Sequence, residues 1–238
     1  MNSLEKEKAR IGEVRKFINL DFDKSREFQD IVDLAAQLCD KPVALITLLD
    51  EDVNWVKVRT GFEVEMMPRE TSFCQHSIRQ DDVLVIPDAT KDERFENNPL
   101  VKSDPHIRFY AGAPLTLNNG LKLGTLCLFD AKPNNITELQ QKTLTILSRQ
   151  VTYLMELELS YRLLKKHVEE IEGKNESMRK IAFMQSHEIR KPLSTIMGLV
   201  NTIKEDNYVA DKERLMIIEE EANNLDMQIR AIVNETVK

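Results

Sequence analysis

The sequence predicts an α+β protein whose second half is a long coiled-coil helix followed by a helical hairpin. The region up to Phe129 alternates amphipathic helical patterns with runs of strand-forming residues. Asn119-Gly120 separates two of these runs and is a strong signal for a β-hairpin turn. From Leu157 to Ile203, apolar residues recur at the alternating spacing of a heptad repeat. Helices, antiparallel strands and a final helix in this order indicate the α+β class.

The N-terminal region contains two amphipathic helices and a β-hairpin. Apolar residues at helical spacing predict the helices over residues 5–19 and Ser25–Cys39. Strand formers run from Val43 to Leu49, and the acidic residues 50–52 follow as a turn. The alternation of Trp55–Arg59 then predicts a strand that pairs back on the first.

The middle region is more irregular and ends in a second hairpin. A short helix is predicted over Ser72–Arg79, capped by Thr71 or Ser72. The polar residues 92–105 are expected to form a loop with one helical turn. The strands of this region are expected at Val83–Ile86, Phe109–Leu117 and Leu121–Phe129.

The rest of the chain is predicted to form one long helix and, after a break, a second helix. Thr137 caps the first, which begins near Glu138 and continues into the heptads. Pro192 lacks a backbone donor and is expected to bend or loosen this helix. The helix ends in residues 205–208, and Asp211 caps the next one. The apolar seam of the second helix is Leu215, Ile218, Ala222, Leu225, Ile229 and Ile232.

These two helices are expected to form an antiparallel hairpin that dimerises. A hairpin of this size cannot bury both apolar seams within one chain. Two copies would form a four-helix bundle, so the sequence predicts a parallel homodimer through residues 157–237. Asn175 lies on the seam, where a buried Asn fixes the register and favours two strands.

The most specific string of the chain lies in the long helix and reads Ser186-His187-Glu188-Ile189-Arg190-Lys191-Pro192-Leu193. It resembles the H box of bacterial sensor histidine kinases, and the resemblance covers about residues 177–237. It implies that His187 is the phosphoacceptor and that Glu188 orients its ring, with Arg190, Lys191 and Pro192 in support. A carboxylate can orient the second nitrogen of a neutral imidazole. The heptad position of His187 predicts that its side chain points away from the seam.

Four further strings lie in the first half of the chain: Ser72–Ile78, Asp88–Val101, Arg108–Leu115 and Leu123–Asp130. In this order they resemble segments of GAF sensor domains, over about residues 22–157. The resemblance implies a central antiparallel sheet with helices on one face and a loop-covered pocket on the other. It also implies a small-molecule ligand of unknown identity in that pocket.

The pocket candidates are Cys74, His76, Arg94 and Tyr110. Two alternatives are open. Tyr110, like Phe73, Phe95 and Phe109, can simply pack in the core. Arg94, with Asp88 and Asp92, can fix a loop by ion pairs and turn hydrogen bonds instead of contacting a ligand.

No cofactor or metal is expected within the chain. Bilin-binding members of the family commonly have a Cys directly followed by His, whereas Gln75 separates Cys74 from His76 here. His76 also has no distinctive partner for haem. Cys74 is a redox-sensor candidate, but nothing beside it in the sequence lowers its pKa. The cysteines are far apart and lack metal-site spacing, so reduced thiols are expected for Cys39, Cys74 and Cys127.

The charge and hydropathy of the chain limit its partners and its location. The formal net charge is −7, which argues against nucleic acid and anionic membranes. The longest apolar run, Pro42–Leu49, is far shorter than the ~18 residues of a membrane span, and no signal-peptide core begins the chain. A cytoplasmic protein is therefore expected.

The predicted domains are an N-terminal helix at 1–21, a GAF sensor at 22–157, a signalling helix at 158–176 and a dimerisation and phosphotransfer hairpin at 177–238. The expected function is a GAF sensor that controls a phosphoaccepting histidine in a phosphorelay. No Gly-rich phosphate loop occurs in the sequence, so Mg-ATP is expected only through a separate catalytic domain.

The expected partners are a second copy of the chain, such an ATP-binding domain and a response regulator. Lys191 stands where the family uses Thr or Asn to position water, which puts phosphatase activity in doubt. The alternative function is a non-enzymatic dimeric adaptor of a kinase or regulator, with an idle histidine.

Overall fold

The computed structural model describes residues 3–22 and 26–236, which form two compact units, Met1–Leu163 and Leu164–Lys238. In chain order the first unit consists of α1 (Ser3–Ile18), α2 (Arg26–Cys39), β1 (Val43–Leu49), β2 (Val53–Thr60), β3 (Met66–Pro68), α3 (Cys74–Ser77), β4 (Leu84–Ile86), α4 (Pro99–Lys102), β5 (Phe109–Thr116), β6 (Lys122–Asp130) and the start of α5 (Glu138–Glu205). The second unit contains the rest of α5 and α6 (Lys212–Thr236).

The first unit is built on a six-stranded sheet in the order β3-β2-β1-β6-β5-β4, and all neighbouring strands are antiparallel. The two central strands pair from Val43↔Phe129 to Leu48↔Gly124. Residues 44–49 are all buried, because both faces of β1 are covered. This explains why the strand is a continuous apolar run and does not alternate.

Each face of the sheet has its own core. One face packs against α1, α2 and the start of α5, through residues such as Phe17, Val32 and Leu144. The other face packs against α3, α4 and the loops, with Phe73 and Phe95 among the buried side chains. The expected arrangement, with long helices on one face and loops on the other, is confirmed.

Most predicted elements of the first unit are present. The differences are an additional strand, β3, and the length and the N-cap of α3. The strand β3 was not predicted, because three residues carry no periodic pattern. The short helix α3 spans only Cys74–Ser77, and its N-cap is Phe73, not Thr71 or Ser72. The hydroxyl of Ser72 nevertheless accepts the Cys74 N–H at 3.1 Å, so that donor is satisfied from just outside the helix. The predicted start of the second helix, Ser25, lies outside the described residues.

Two glycines permit tight geometry in the β5–β6 hairpin. Gly120 has φ +81° and donates its N–H to the Leu117 carbonyl at 2.8 Å, which confirms the predicted turn. Gly124 lies against β1, and a Cβ atom there would be 1.8 Å from the Thr47 carbonyl oxygen. No side chain fits at position 124 unless the two central strands separate.

The predicted caps and continuity of the long helix are confirmed. Thr137 and Gln140 form a reciprocal capping box, because the Gln140 N–H donates to Thr137 Oγ1 at 3.2 Å and the Thr137 N–H to Gln140 Oε1 at 2.9 Å. The helix α5 has 68 residues and runs without interruption through Gly173 and Pro192. At the start of α6, Asp211 Oδ1 accepts the Arg214 N–H at 2.8 Å, as predicted. A bend at Pro192 stays a prediction.

The apolar seam of α6 divides into two lines. Ile218, Leu225 and Ile232 are half-buried, whereas Leu215, Ala222 and Ile229 are exposed. Leu215 and Ile229 are 53% and 43% exposed, so the described part of the chain covers only about half of each residue.

The second unit's part of α5 also carries two apolar lines. The predicted seam from Ile189 to Ile203 is half-buried or buried, as at Pro192. A further line, which was not predicted, consists of Leu193, Met197 and Val200 and is exposed. The seam residues between Leu164 and Met178 are exposed as well, and the side chain of Gln185 lies outside the described residues.

No helix in the described part of the chain is both long and apolar enough to cross a membrane.

Candidate functional site

The first candidate site is the surface around His187 on α5. The imidazole is exposed, and its centroid lies 5.9 Å from that of Phe183, one helical turn earlier. Phe183 is itself 70% exposed, so the two rings together form an open patch. The Ser186 hydroxyl beside them donates to the Ala182 carbonyl at 2.8 Å. The histidine is therefore available to another protein.

Of the five residues that follow His187, the charged ones are exposed and the apolar ones are at least half-buried. Glu188, Arg190 and Lys191 are exposed, whereas Ile189 is half-buried and Pro192 is buried. Beside His187 the helix therefore packs Ile189 and Pro192, and it leaves an acid, two cations and an imidazole in solvent. The roles that the resemblance implies for these residues stay predictions.

The structure divides the four predicted pocket residues of the sensor into two pairs. Cys74 and Tyr110 are fully buried, and the Tyr110 hydroxyl lies 2.6 Å from Ser77 Oγ. Burial, followed by the negative charge of the nearby Cys74 thiolate, raises the pKa of Tyr110 well above its ordinary value. His76 and Arg94 form the second pair, since both contact the ring of Phe95 at centroid distances of 4.8 Å and 5.2 Å.

The second pair lies at a fixed loop. Arg94 binds both carboxylate oxygens of Asp92, at 2.9 Å and 2.6 Å, and Asp88 accepts the Thr90 N–H. These contacts fit the alternative that Arg94, Asp92 and Asp88 stabilise the loop, and a ligand contact of Arg94 stays a prediction. Burial of His76, with Arg79 and Arg94 nearby, lowers the pKa of its imidazole.

An aromatic stack joins the two pairs. The ring of Phe73 lies 4.2 Å from that of Phe95 at an interplanar angle of 6°, and 5.3 Å from the ring of Tyr110. Side-chain exposure is 1% or less for Phe73, Phe95, Phe109 and Tyr110. Core packing, the alternative reading of these aromatic residues, is confirmed.

An apolar cavity of about 250 Å³ lies on the same face of the sheet. Its lining includes Val43, Phe62, Met67, Phe73, Leu100 and Phe129. None of Cys74, His76, Arg94 and Tyr110 belongs to this lining. A pocket on this face was predicted, but its lining residues were not, because its walls come from segments far apart in the chain. Its composition fits a small apolar molecule.

A pair of buried thiols lies in the core on the same face of the sheet as this cavity. Cys74 Sγ and Cys127 Sγ are 3.8 Å apart, and both residues are at most 1% exposed. Buried hydroxyls surround them, among which Thr47 Oγ1 and Thr125 Oγ1 are 3.1 Å apart. No signal near Cys74 in the sequence indicates this pair, because its partner comes from β6, 53 residues later.

The surroundings of the two thiols lower the pKa of Cys74 and raise the pKa of Cys127. Burial raises the pKa of Cys74, but hydrogen bonds from Cys127, Thr125, Thr47 and Ser72 together lower it to about 5. Burial, followed by the interaction with Cys74, raises the pKa of Cys127 well above its ordinary value. The pair therefore favours a thiolate on Cys74 and a thiol on Cys127.

Among the described residues, no group of three or more His, Cys, Asp or Glu side chains is placed to hold a metal ion.

The sequence profile of the GAF domain matches residues 23–154, which is more than half of the chain. The chain belongs to the GAF domain family. This confirms the resemblance drawn from the four strings, and the fold is the antiparallel sheet that the family implies. A role in signalling follows for the GAF domain.

The chain is similar to part of a bacterial phosphodiesterase and to several solved GAF domains. A cyclic di-GMP phosphodiesterase of Pseudomonas aeruginosa is 42% identical over 106 residues, which are 44% of this chain but only 18% of that protein. The GAF domain of an Acinetobacter phosphoenolpyruvate-protein phosphotransferase is 18% identical, with a TM-score of 0.48 over 66% of this chain and 95% of its own. The PixJ GAF domain of Thermosynechococcus elongatus, in its blue-light absorbing form, is 14% identical, with a TM-score of 0.47 over 73% of this chain and 98% of its own.

Proposed function

We propose that the GAF domain controls the phosphorylation of His187 in a phosphorelay. The observation that carries the proposal is the exposed imidazole of His187, set in the Ser-His-Glu-Ile-Arg-Lys-Pro-Leu string of a long helix. A phosphoacceptor must reach the active site of another domain, and an exposed side chain on a rigid helix meets that need.

The side chains around His187 suit phosphoryl transfer. A neutral imidazole is a nucleophile when its second nitrogen is oriented, and Glu188 is the adjacent residue that can do so. Arg190 and Lys191 are exposed cations close to the position that the phosphoryl group would occupy. They would offset part of its negative charge. Mg-ATP would come with an ATP-binding domain, or phosphate with a phosphorylated response regulator.

The proposal includes a homodimer through the helical hairpin. Two exposed apolar lines support it, one with Leu193, Met197 and Val200 on α5 and one with Leu215 and Ile229 on α6. Apolar lines of this length on a hairpin are covered when two hairpins form a four-helix bundle. The continuous α5 helix supports transmission of a shift or rotation from the GAF domain, which a flexible linker would not transmit.

Labelling with radioactive ATP tests the function. The chain is incubated with Mg-ATP and a panel of separately expressed ATP-binding domains of histidine kinases. We expect an acid-labile label on the wild-type chain and none on His187→Gln. His167→Gln is the matched control, since His167 is also exposed on α5 but is followed by Val168 and lacks the Glu-x-Arg-x-Pro context of His187. Binding of a kinase domain without any label would favour the adaptor with an idle histidine.

A further inference from the structure

We propose that Cys74 and Cys127 form a reversible disulfide inside the GAF domain, which makes the domain a sensor of hydrogen peroxide. The observation is a sulfur–sulfur distance of 3.8 Å between two cysteines that are far apart in sequence. This proposal does not depend on the role of His187.

The geometry places the two sulfurs on the same face of the sheet. Cys127 lies in the central strand β6, where it pairs with Leu45 of β1 and Gly112 of β5. Cys74 is the first residue of α3, a helix of a single turn that covers this face. A disulfide needs a separation of about 2.05 Å, so the sulfurs must approach by less than about 2 Å. A shift of one short helix can supply that approach.

A set of buried hydroxyls activates Cys74. Ser72 Oγ accepts hydrogen bonds from Asn54 Nδ2 at 2.8 Å and from the Cys74 N–H at 3.1 Å. Because its acceptor sites are occupied, its own proton is left to donate to the Cys74 sulfur. Thr47 and Thr125 share a hydrogen bond of 3.1 Å, so one of these two hydroxyls keeps its proton for the Cys74 sulfur, and Cys127 is a further donor. The resulting pKa of about 5 leaves Cys74 as a thiolate at neutral pH.

The reaction needs one molecule of peroxide. The Cys74 thiolate attacks one peroxide oxygen, the O–O bond breaks, and the departing hydroxide takes a proton to leave as water. Cys74 is then a sulfenic acid. The Cys127 sulfur attacks the Cys74 sulfur, the S–O bond breaks, and the second water leaves with the proton of Cys127. Two thiols and one peroxide give one disulfide and two waters, and a dithiol reductant reverses the change.

Burial selects the class of oxidant. Cys74 is 1% exposed and Cys127 0%, which excludes direct attack by a bulky disulfide such as oxidised glutathione. Neither cysteine lines the apolar cavity, but Phe73 and Phe129 do, and each lies within two residues of one of the cysteines. Cys127 and Phe129 also share a strand face, since side chains alternate along a strand. The cavity is therefore a route for a molecule as small as hydrogen peroxide.

The test treats the reduced, folded full chain with hydrogen peroxide at pH 7. Remaining thiols are then blocked with iodoacetamide in denaturant, and peptides are mapped by mass. We expect a Cys74–Cys127 cross-linked peptide, lost after dithiothreitol, and little reaction with the same concentration of oxidised glutathione. The rate should be constant above about pH 6 and fall as the pH drops through 5, because the thiolate is protonated there.

Variants assign the roles of the two cysteines. Cys127→Ser should stop at a sulfenic acid on Cys74, which dimedone traps, whereas Cys74→Ser should give neither product. Cys39→Ser is the control and should react like the wild type, since Cys39 packs in the core on the other face of the sheet. Should a variant not fold, the wild-type peptide map decides alone. Three free thiols after peroxide treatment, a cross-link to Cys39, or a reaction seen only in denaturant would overturn the proposal.

Discussion

His187 and Cys74 are both nucleophilic side chains, and their burial separates their chemistry. The imidazole of His187 is exposed on a helix surface, where only another protein can bring a phosphoryl group to it. The sulfur of Cys74 is enclosed and surrounded by hydroxyl donors, where only a small oxidant can reach it. At the residue scale, the sensor and the proposed acceptor therefore respond to different kinds of partner.

We predict that Glu188→Ala lowers the rate of phosphorylation of His187 by roughly 10²–10⁴-fold, the range for the loss of an acid–base partner. The nucleophile remains but its ring is poorly oriented. Initial rates of labelling by a donor ATP-binding domain measure the effect.

His187→Gln should remove the label entirely and leave the oligomeric state unchanged, because its side chain points away from the packed side. Label from Mg-ATP alone would show that the 238 residues contain an unrecognised nucleotide site.

A second prediction concerns Glu7 on α1, whose carboxylate binds Arg10 and Arg69, each at 2.7 Å. The hydrogen bond from Arg10 is the largest influence, and the two arginines outweigh burial to lower the pKa of Glu7 from 4.5 to about 2. Because the folded pKa lies below the unfolded one, the stabilisation is complete above pH 4.5 and is lost as the pH falls toward 2.

Glu7→Gln should therefore destabilise the protein at pH 7, and its difference from the wild type should shrink as the pH falls from 4.5 to 3. Urea unfolding at several pH values measures this. The side chain of Glu7 is about a third exposed, so solvent screening keeps the effect small. A difference that does not depend on pH would contradict the ion-pair explanation.

At the scale of elements, the two central strands leave no space between them at Gly124. The hairpin partner β5 and the neighbour β1 both pair with this residue, through Leu115 and Leu48. The tight fit explains why a glycine interrupts an otherwise apolar strand. Gly12 on α1 is the opposite case, since a Cβ atom there would meet nothing within 4 Å.

The two glycines form a matched pair of tests. Gly124→Ala should destabilise the GAF domain by about 3 kcal/mol or more, because the new methyl group overlaps a backbone carbonyl. Gly12→Ala should stabilise it by about 0.5–1 kcal/mol, because alanine loses less backbone entropy in a helix. Chemical denaturation followed by circular dichroism gives both values. Equal effects of the two substitutions would show that the close approach at Gly124 is not decisive.

At the scale of the whole molecule, the hairpin presents more apolar surface than one chain covers. Both helices carry one line that is at least half-buried and another that is exposed. Isolated exposed apolar residues are common, but continuous lines at heptad spacing are typical of an interface.

We predict that the chain is a dimer of twice 27.5 kDa and that Leu215→Asp with Ile229→Asp gives a monomer. Both side chains are exposed within one chain, so the hairpin should remain folded while the two charges disrupt the interface. Light scattering measures the mass, and far-ultraviolet circular dichroism checks the helices. Asn224→Asp, an exposed polar position on the same helix, is the control.

Ile189→Asp with Leu225→Asp should also dissociate the dimer, but this pair should destabilise the hairpin more, since both residues are half-buried.

Local patterns in the sequence determined the α+β class, the GAF family, the caps at Thr137 and Asp211, and the exposed position of His187. Each depends on residues within a few turns or one strand, where periodicity and capping act. Only the tertiary structure decided that Cys74 lies beside Cys127, because β6 and α3 are distant in sequence and come together only when α3 packs on the face of the sheet. The lining of the cavity and the division of the α6 seam into a half-buried and an exposed line also depend on contacts between elements that are distant in sequence. Which face of an apolar pattern is covered depends on elements that the pattern itself does not contain.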